Sequence, residues 1–116
     1  MENNITIARL YFNYGQSIKG QSFWKNIWNN SLSDFLIKKA KESNIEQTNL
    51  FIAKAGYLNY QSIKNNISEM PALNNPVCIE LIDNDTKINQ FLEINKVNLK
   101  EVKIIIINEN NTSIKC

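Results

Sequence analysis

The order in which apolar periodicity changes along the chain restricts its fold more than any other feature. "ITIARLYF", Ile5 to Phe12, is rich in β-branched and aromatic residues. Strand alternation places Ile5, Ile7, Arg9 and Tyr11 on one face and Thr6, Ala8, Leu10 and Phe12 on the other. A strand with both faces partly covered is predicted. "NYGQSIKGQS", Asn13 to Ser22, is polar with two glycines and reads as a loop. Helical spacing follows, in Phe23, Trp24, Ile27 and Trp28 and again, beyond "NNS", in Leu32, Phe35, Leu36 and Ala40. Ser31 or Ser33 suits an N-cap, and Asn44 suits a left-handed closing residue. Residues 23–42 form either one helix or two. "NLFIAK", Asn49 to Lys54, is a second strand. "NPVCIELID" is a third, with Pro76 at its first position, where a missing N–H is tolerated. Asp83 or Asp85 then caps a helix bearing Ile88, Phe91, Leu92 and Asn95. "LKEVKIIII", centred on Val102 to Ile107, is the fourth strand, and residues 108–116 form a polar tail.

The order β-α-β-β-α-β predicts an α+β, ferredoxin-like domain spanning residues 1–116. A four-stranded antiparallel sheet carries two helices on one face. The other face must meet water, a ligand or another subunit, and apolar residues on both faces of the strands favour a subunit. A bare run of four isoleucines on a sheet edge invites aggregation, so it is expected to be paired or covered.

A long segment, 56–75, separates the second and third strands, where a hairpin needs only about two to five residues. It opens with "AKAGYLNYQSIKNN". Asn59 to Leu73 is expected to be mobile. A short helix over "YQSIKNNI" is the alternative, since Tyr60, Ile63, Lys64 and Ile67 have helical spacing.

Composition excludes several classes of function. The chain has 116 residues and a hydrophobic fraction of 43%, enough for one globular core. Its net charge of +2, from 13 basic and 11 acidic residues, is too balanced to suggest a nucleic-acid partner. No DNA or RNA partner is expected. On the RNA-binding version of this topology the central strands offer Tyr11, but "PVCIELID" has no aromatic residue and carries Glu80 and Asp83. There is no histidine. Cys78 and Cys116 lack metal-ligand spacing; Cys78 reads as a small buried hydrophobe and Cys116 as a reactive tail thiol. Glu80 and Asp83 form no placed pair with a nucleophile. Walker A, dinucleotide-binding and triad patterns are missing. No enzyme activity, cofactor or metal site is expected. The start of the chain lacks the basic region of a secretory signal, and the longest apolar run, Ile104 to Ile107, is far too short for a membrane span. Cytoplasmic localisation is expected.

Some residues carry more than one reading. A buried Arg9 needs a partner and either pairs with Glu80 across the sheet or points into a ligand cleft between subunits; otherwise it simply lies at an exposed edge. Gly56 and Tyr57 form either a strand-ending turn or a hinge beside an anion. Lys54 either neutralises that anion or is a solvated strand end. Tyr57 and Tyr60 either stack on a base or partner, or pack the loop against its own subunit. Phe23, Trp24, Ile27 and Trp28 serve either core and oligomer packing or a partner-binding face.

"PVCIELIDNDTKINQFLEI" resembles the third strand and second helix of the domain of unknown function 190 family through Pro76, Val77, Ile79, Glu80, Ile82, Asp83, Lys87, Ile88, Phe91 and Leu92. Ala40, Glu42, Ile45, Gly56 and Tyr57 match its helix end, second strand and following turn, and Arg9 and Tyr11 match its opening strand. The likeness covers roughly Ile5 to Ile107. Asn44, Gln47, Ala53, Leu58 and Asn59 depart from its small residues and glycines, and the stretch Gly15 to Trp28 is longer than usual. That family is similar to PII signal proteins. The resemblance implies a homotrimer that binds an adenine nucleotide or another small anion in intersubunit clefts. It also implies a target protein contacted through the 56–75 loop. By the same likeness, the cleft would use Lys54, Gly56 and Tyr57, with Arg9 as a further contributor.

Overall fold

The computed structural model describes residues 5–15, 31–65 and 75–108. Strand β1 (Ile5–Asn13) leads to helix α1 (Leu32–Glu42) and strand β2 (Gln47–Ile52). Two short strands follow, β3 (Ala55–Gly56) and β4 (Lys64–Asn65). Then come β5 (Pro76–Asn84), α2 (Asp85–Ile94), a 3-10 turn (Lys96–Leu99) and β6 (Lys103–Asn108). The four long strands form one antiparallel sheet in the order β2-β5-β1-β6. The fold is thus the expected ferredoxin-like α+β arrangement, with β1 and β5 at its centre. Helix α1 packs on β2 and β5, and α2 packs on β5 and β1.

Alternation divides the sheet into two faces. Ala8, Leu10 and Phe12 of β1 and Val77, Ile79 and Leu81 of β5 face the helices and are buried. They meet Leu32, Leu36 and Ala40 of α1 and Ile88 and Phe91 of α2, all essentially inaccessible. Of the two β1 faces read from the sequence, the one with Thr6, Ala8, Leu10 and Phe12 is therefore the buried one. The opposite face, with Ile5, Ile7, Arg9 and Tyr11, stays half-buried or exposed.

Local chemistry explains the element ends. Ser31 caps α1 by accepting the Asp34 N–H at 3.2 Å. Asn44 closes its exit in the left-handed region, at φ 60°. The cap of α2 differs from expectation, because Asn84, not Asp83 or Asp85, accepts the Lys87 N–H at 2.9 Å. Strand alternation turns Asp83 to the buried face instead. There it accepts the N–H groups of Glu46 at 2.7 Å and Asn84 at 2.6 Å. Strand β2 begins at Gln47, two residues before the expected Asn49, and ends at Ile52 rather than Lys54. The Ala53 N–H still reaches Pro76 O at 2.9 Å, but the chain bends at Lys54.

The start of the long connection is a hairpin rather than the alternative helix over "YQSIKNNI". Ala55 pairs with Asn65 and Gly56 with Lys64. The turn is closed by Gln61 N–H donating to Leu58 O at 2.9 Å, with Asn59 and Tyr60 both at positive φ, 52° and 63°. Two positive φ angles at the central positions are the signature of a hairpin-type I′ turn. The aromatic stretch 23–28, the loop residues 66–74, Cys116 and most of the polar tail lie outside the described residues. So does the question of whether the chain is helical before Leu32. No described helix is long and apolar enough to cross a membrane.

Candidate functional site

The open face of the sheet is organised in cross-strand rows. The middle row contains Asn49, Glu80, Arg9 and Ile105, from β2, β5, β1 and β6 in turn. Arg9 Nε lies 3.4 Å from Glu80 Oε2, and Asn49 Nδ2 donates to Glu80 Oε1 at 3.4 Å. Of the readings of Arg9, the geometry supports the cross-sheet pair. Glu80 is the more shielded partner, at 15% side-chain exposure against 40% for Arg9. The pair is therefore held at the surface of the sheet, where its attraction is screened and its net worth modest.

The next row towards the loop end contains Phe51, Cys78, Tyr11 and Lys103. Tyr11, Phe51 and Cys78 line a hollow of about 170 Å³, completed by Ile52, Ala53 and the edge of Pro76 and Val77. Burial pushes the Cys78 thiol above its usual range, with a hydrogen bond to Tyr11 acting in the opposite direction. The group therefore stays a protonated thiol at neutral pH, and its reactivity is low. Cys78 is half-buried rather than wholly enclosed, because it lies on the open face and not in the core.

Directly beyond the hollow, three chain passages are tied together by Asn75. It is 1% exposed. Its Nδ2 donates to Ala53 O at 3.0 Å, and its own carbonyl accepts the Tyr14 N–H at 2.8 Å. The end of β1, the end of β2 and the start of β5 are thereby fixed at one point, and the hairpin leaves from it. Gly56 has φ +157°, an angle that residues with a side chain rarely adopt. Tyr57 is 55% exposed and Tyr60 is fully exposed at the turn.

Lys54, Gly56 and Tyr57 therefore stand together at the root of the hairpin, immediately after Ala53 of the hollow. Arg9 does not join them within the chain. It lies in the row of Asn49, five residues before Lys54 on β2, roughly 15 Å away along the strand direction. Tyr11, Phe51, Cys78 and Lys103 come together although nothing in their spacing groups them. Alternation places Tyr11 on the open face, but only strand register brings Phe51 and Lys103 into its row. Among the described residues, no group of three histidine, cysteine, aspartate or glutamate side chains is placed to hold a metal ion.

A ferredoxin-like domain with an open apolar sheet face and a hairpin between the second and third long strands defines a recognisable class of small α+β protein. Within it, the chain matches the DUF190 family, described as uncharacterized ACR, over residues 8–111, and it belongs to that family. It is also similar to the UPF0166 protein of Aquifex aeolicus (strain VF5), with 28% identity over 107 residues, covering 87% of this chain and 93% of that protein.

Proposed function

We propose that this chain is a PII-like regulatory subunit that acts in the cytoplasm as a homotrimer. It is a binding protein rather than an enzyme, sensing a small anionic ligand such as a nucleotide and signalling through the hairpin to a target protein. One observation carries the reading: the apolar hollow at the end of the central strands adjoins the root of the hairpin, beside Lys54, Gly56 and Tyr57. An occupant there would touch the point from which the hairpin leaves, and so could bias its position. Lys54 would supply positive charge, Gly56 would permit close approach of the backbone, and Tyr57 would cover the ligand.

The test is a thermal-shift screen of nucleotides and small anions on protein of measured oligomeric state, followed by calorimetry on any hit. Lys54→Ala should weaken binding about tenfold to a hundredfold, the loss expected for one charge-assisted contact. Lys38→Ala, on the exposed face of α1, should leave it unchanged. Normal binding by Lys54→Ala with the oligomer intact would place the ligand elsewhere. A second reading, an interaction module without a ligand, is favoured by the exposed Tyr57, Tyr60 and Ile63 of the hairpin. It takes precedence if nothing in the screen binds.

A further inference from the structure

We infer that the two outer strands of the sheet join copies of this chain head to tail: β2 of one copy pairs antiparallel with β6 of the next, and Phe51 stands opposite the partner's Ile105. The inference rests on the homotrimer proposed above and deepens it. It names the seam, and it names the residue that a neighbouring copy adds to the hollow.

Exposure points to these two strands. Among the described residues, Phe51, Ile52, Ile104, Ile105 and Ile106 are large apolar side chains left exposed, and all five lie on β2 or β6. These strands end the sheet order β2-β5-β1-β6, so among the described residues each has a strand neighbour on one side only. Both run for six residues, Gln47–Ile52 and Lys103–Asn108. Edge strands are commonly protected by charges or proline. Strand β2 contains neither, and β6 contains only Lys103, at its first position.

Direction and face agree with such a seam. Pairing is antiparallel from β2 to β5, from β5 to β1 and from β1 to β6, so β2 and β6 run in opposite directions. They therefore meet antiparallel when one copy continues the sheet of another. Helix layers then share one side and open faces the other, and residues opposite each other share a face. Phe51 and Ile105 belong to the open face, whereas Leu50, Ile52, Ile104 and Ile106 belong to the helix side. Setting Phe51 opposite Ile105 places Ile52 opposite Ile104, Leu50 opposite Ile106 and Thr48 opposite Asn108. Every exposed apolar residue of the two strands then faces an apolar one. A shift that keeps the faces moves by two residues. One such shift sets Phe51 against Lys103, and the other sets Leu50 against Asn108, so the apolar pattern selects a single register.

Pairing β6 with β6, or β2 with β2, covers one edge and leaves the other bare. The head-to-tail seam covers both, and it closes into a ring when the rotation per copy allows. At their observed exposures the five side chains present roughly 400–500 Å² of apolar surface per copy, about half of what a standard stable interface takes from each partner. The edge backbones and the open faces turned towards one another supply the remainder. The Cβ atoms of Phe51 and the partner's Ile105 come within about 5 Å. Phe51 is a wall of the hollow, so a neighbouring copy completes the hollow on its β2 side.

The experiment is oxidative cross-linking of the full chain in a Cys78→Ala, Cys116→Ser background. One double variant combines Ile52→Cys with Ile104→Cys, and a second combines Phe51→Cys with Ile105→Cys. Adjacent antiparallel pairs alternate between hydrogen-bonded and closer non-hydrogen-bonded kinds, so one of the two rows suits a disulfide. All four side chains lie outside the core; circular dichroism and light scattering before oxidation check fold and assembly. Non-reducing electrophoresis should show covalent dimer and trimer in at least one double variant, and no cross-link in Ile52→Cys or Ile104→Cys alone. Amide exchange on the unmodified protein gives a second readout: β2 and β6 should be protected as strongly as β1 and β5. A trimer that neither double variant cross-links, or that exchanges fast along β2 or β6, overturns the inference and leaves the homotrimer standing. Covalent dimers from Ile104→Cys or Ile52→Cys alone show a two-fold seam and also overturn it. A ladder that stops at two copies or runs past three upholds the seam and refutes the trimer. Wild-type protein that is monomeric at micromolar concentration refutes both.

Discussion

Asp83 carries more of the fold than its position at the end of a strand suggests. Its carboxylate accepts the backbone N–H groups of Glu46 and Asn84, and Lys87 Nζ lies 3.1 Å away. Lys87 also reaches the Asn44 carbonyl. One side chain thus ties the exit of α1 to the junction of β5 and α2. Burial by itself would raise its pKa, but the Asn84 N–H, Lys87 and the Glu46 N–H together more than offset it, and the carboxyl is held below its ordinary value. A depressed carboxyl pKa contributes stability above the unfolded-state value and loses it as the pH falls through the folded-state value. Stability should therefore decline as the pH drops through and below the usual carboxyl range, and part of that acid limb should disappear in Asp83→Asn. The same substitution should cost about 1–3 kcal/mol at neutral pH, because an amide cannot serve both N–H groups and the lysine. Urea midpoints measured for both proteins between neutral and acid pH would check this. Equal acid sensitivity in the two would remove Asp83 from the account.

At the scale of elements, the hairpin is where local preference and observed conformation disagree most. Its turn needs positive φ at both central residues, a requirement usually met by asparagine followed by glycine. Asn59 suits the first position, but Tyr60 brings a bulky side chain into a region that costs roughly 1–2 kcal/mol for an L-residue. The tyrosine is wholly exposed and gains no packing in return. Tyr60→Gly should therefore tighten the turn, by up to about 1 kcal/mol once the lost chain stiffness is counted. Amide exchange at the β3 and β4 backbone should slow. Faster exchange in Tyr60→Gly would show that the side chain supports the turn. The caps illustrate the opposite case: Ser31 and Asn84 are good capping residues, and each accepts the N–H three residues ahead.

At the scale of the whole chain, the described sheet leaves several large apolar side chains exposed. Phe51 is 54% exposed, and Ile104, Ile105 and Ile106 of the edge strand β6 are 36%, 44% and 45% exposed. Ile104 and Ile106 lie on the helix side of β6, and Ile105 lies on the open face in the row of Arg9. Among the described residues, the edge itself is paired only on its β1 side. Covering such surface adds buried area that a domain of this size cannot supply alone. The trimer proposed above would do so. Ile105→Lys should break the assembly into monomers, seen by light scattering, while leaving far-UV circular dichroism intact, since the side chain is not in the core. A wild type that is monomeric at micromolar concentration would refute the assembly outright. Leu10→Ala, by contrast, strikes the centre of the core and should cost about 2–5 kcal/mol in denaturant unfolding whatever the oligomeric state.

Local sequence by itself determined the order of the four long strands and the helices α1 and α2, the division of β1 into two faces and the stripe Leu32, Leu36 and Ala40. Alternation and helical spacing are properties of neighbouring residues, and the core simply collects them. It also determined the Ser31 cap and the left-handed Asn44, whose causes lie within a few residues. Tertiary structure decided what depends on register and on which face a strand turns inward. Asp83 was as good a cap as Asn84 until the strand turned it to the buried face. The Arg9–Glu80 contact depended on β1 and β5 setting the two residues opposite each other. Lys103 and Phe51 are 52 positions apart in the sequence and were unrelated until both strands aligned on the row of Tyr11 and Cys78. A shift of one residue in either pairing would send them to the other face, so no local pattern could have joined them.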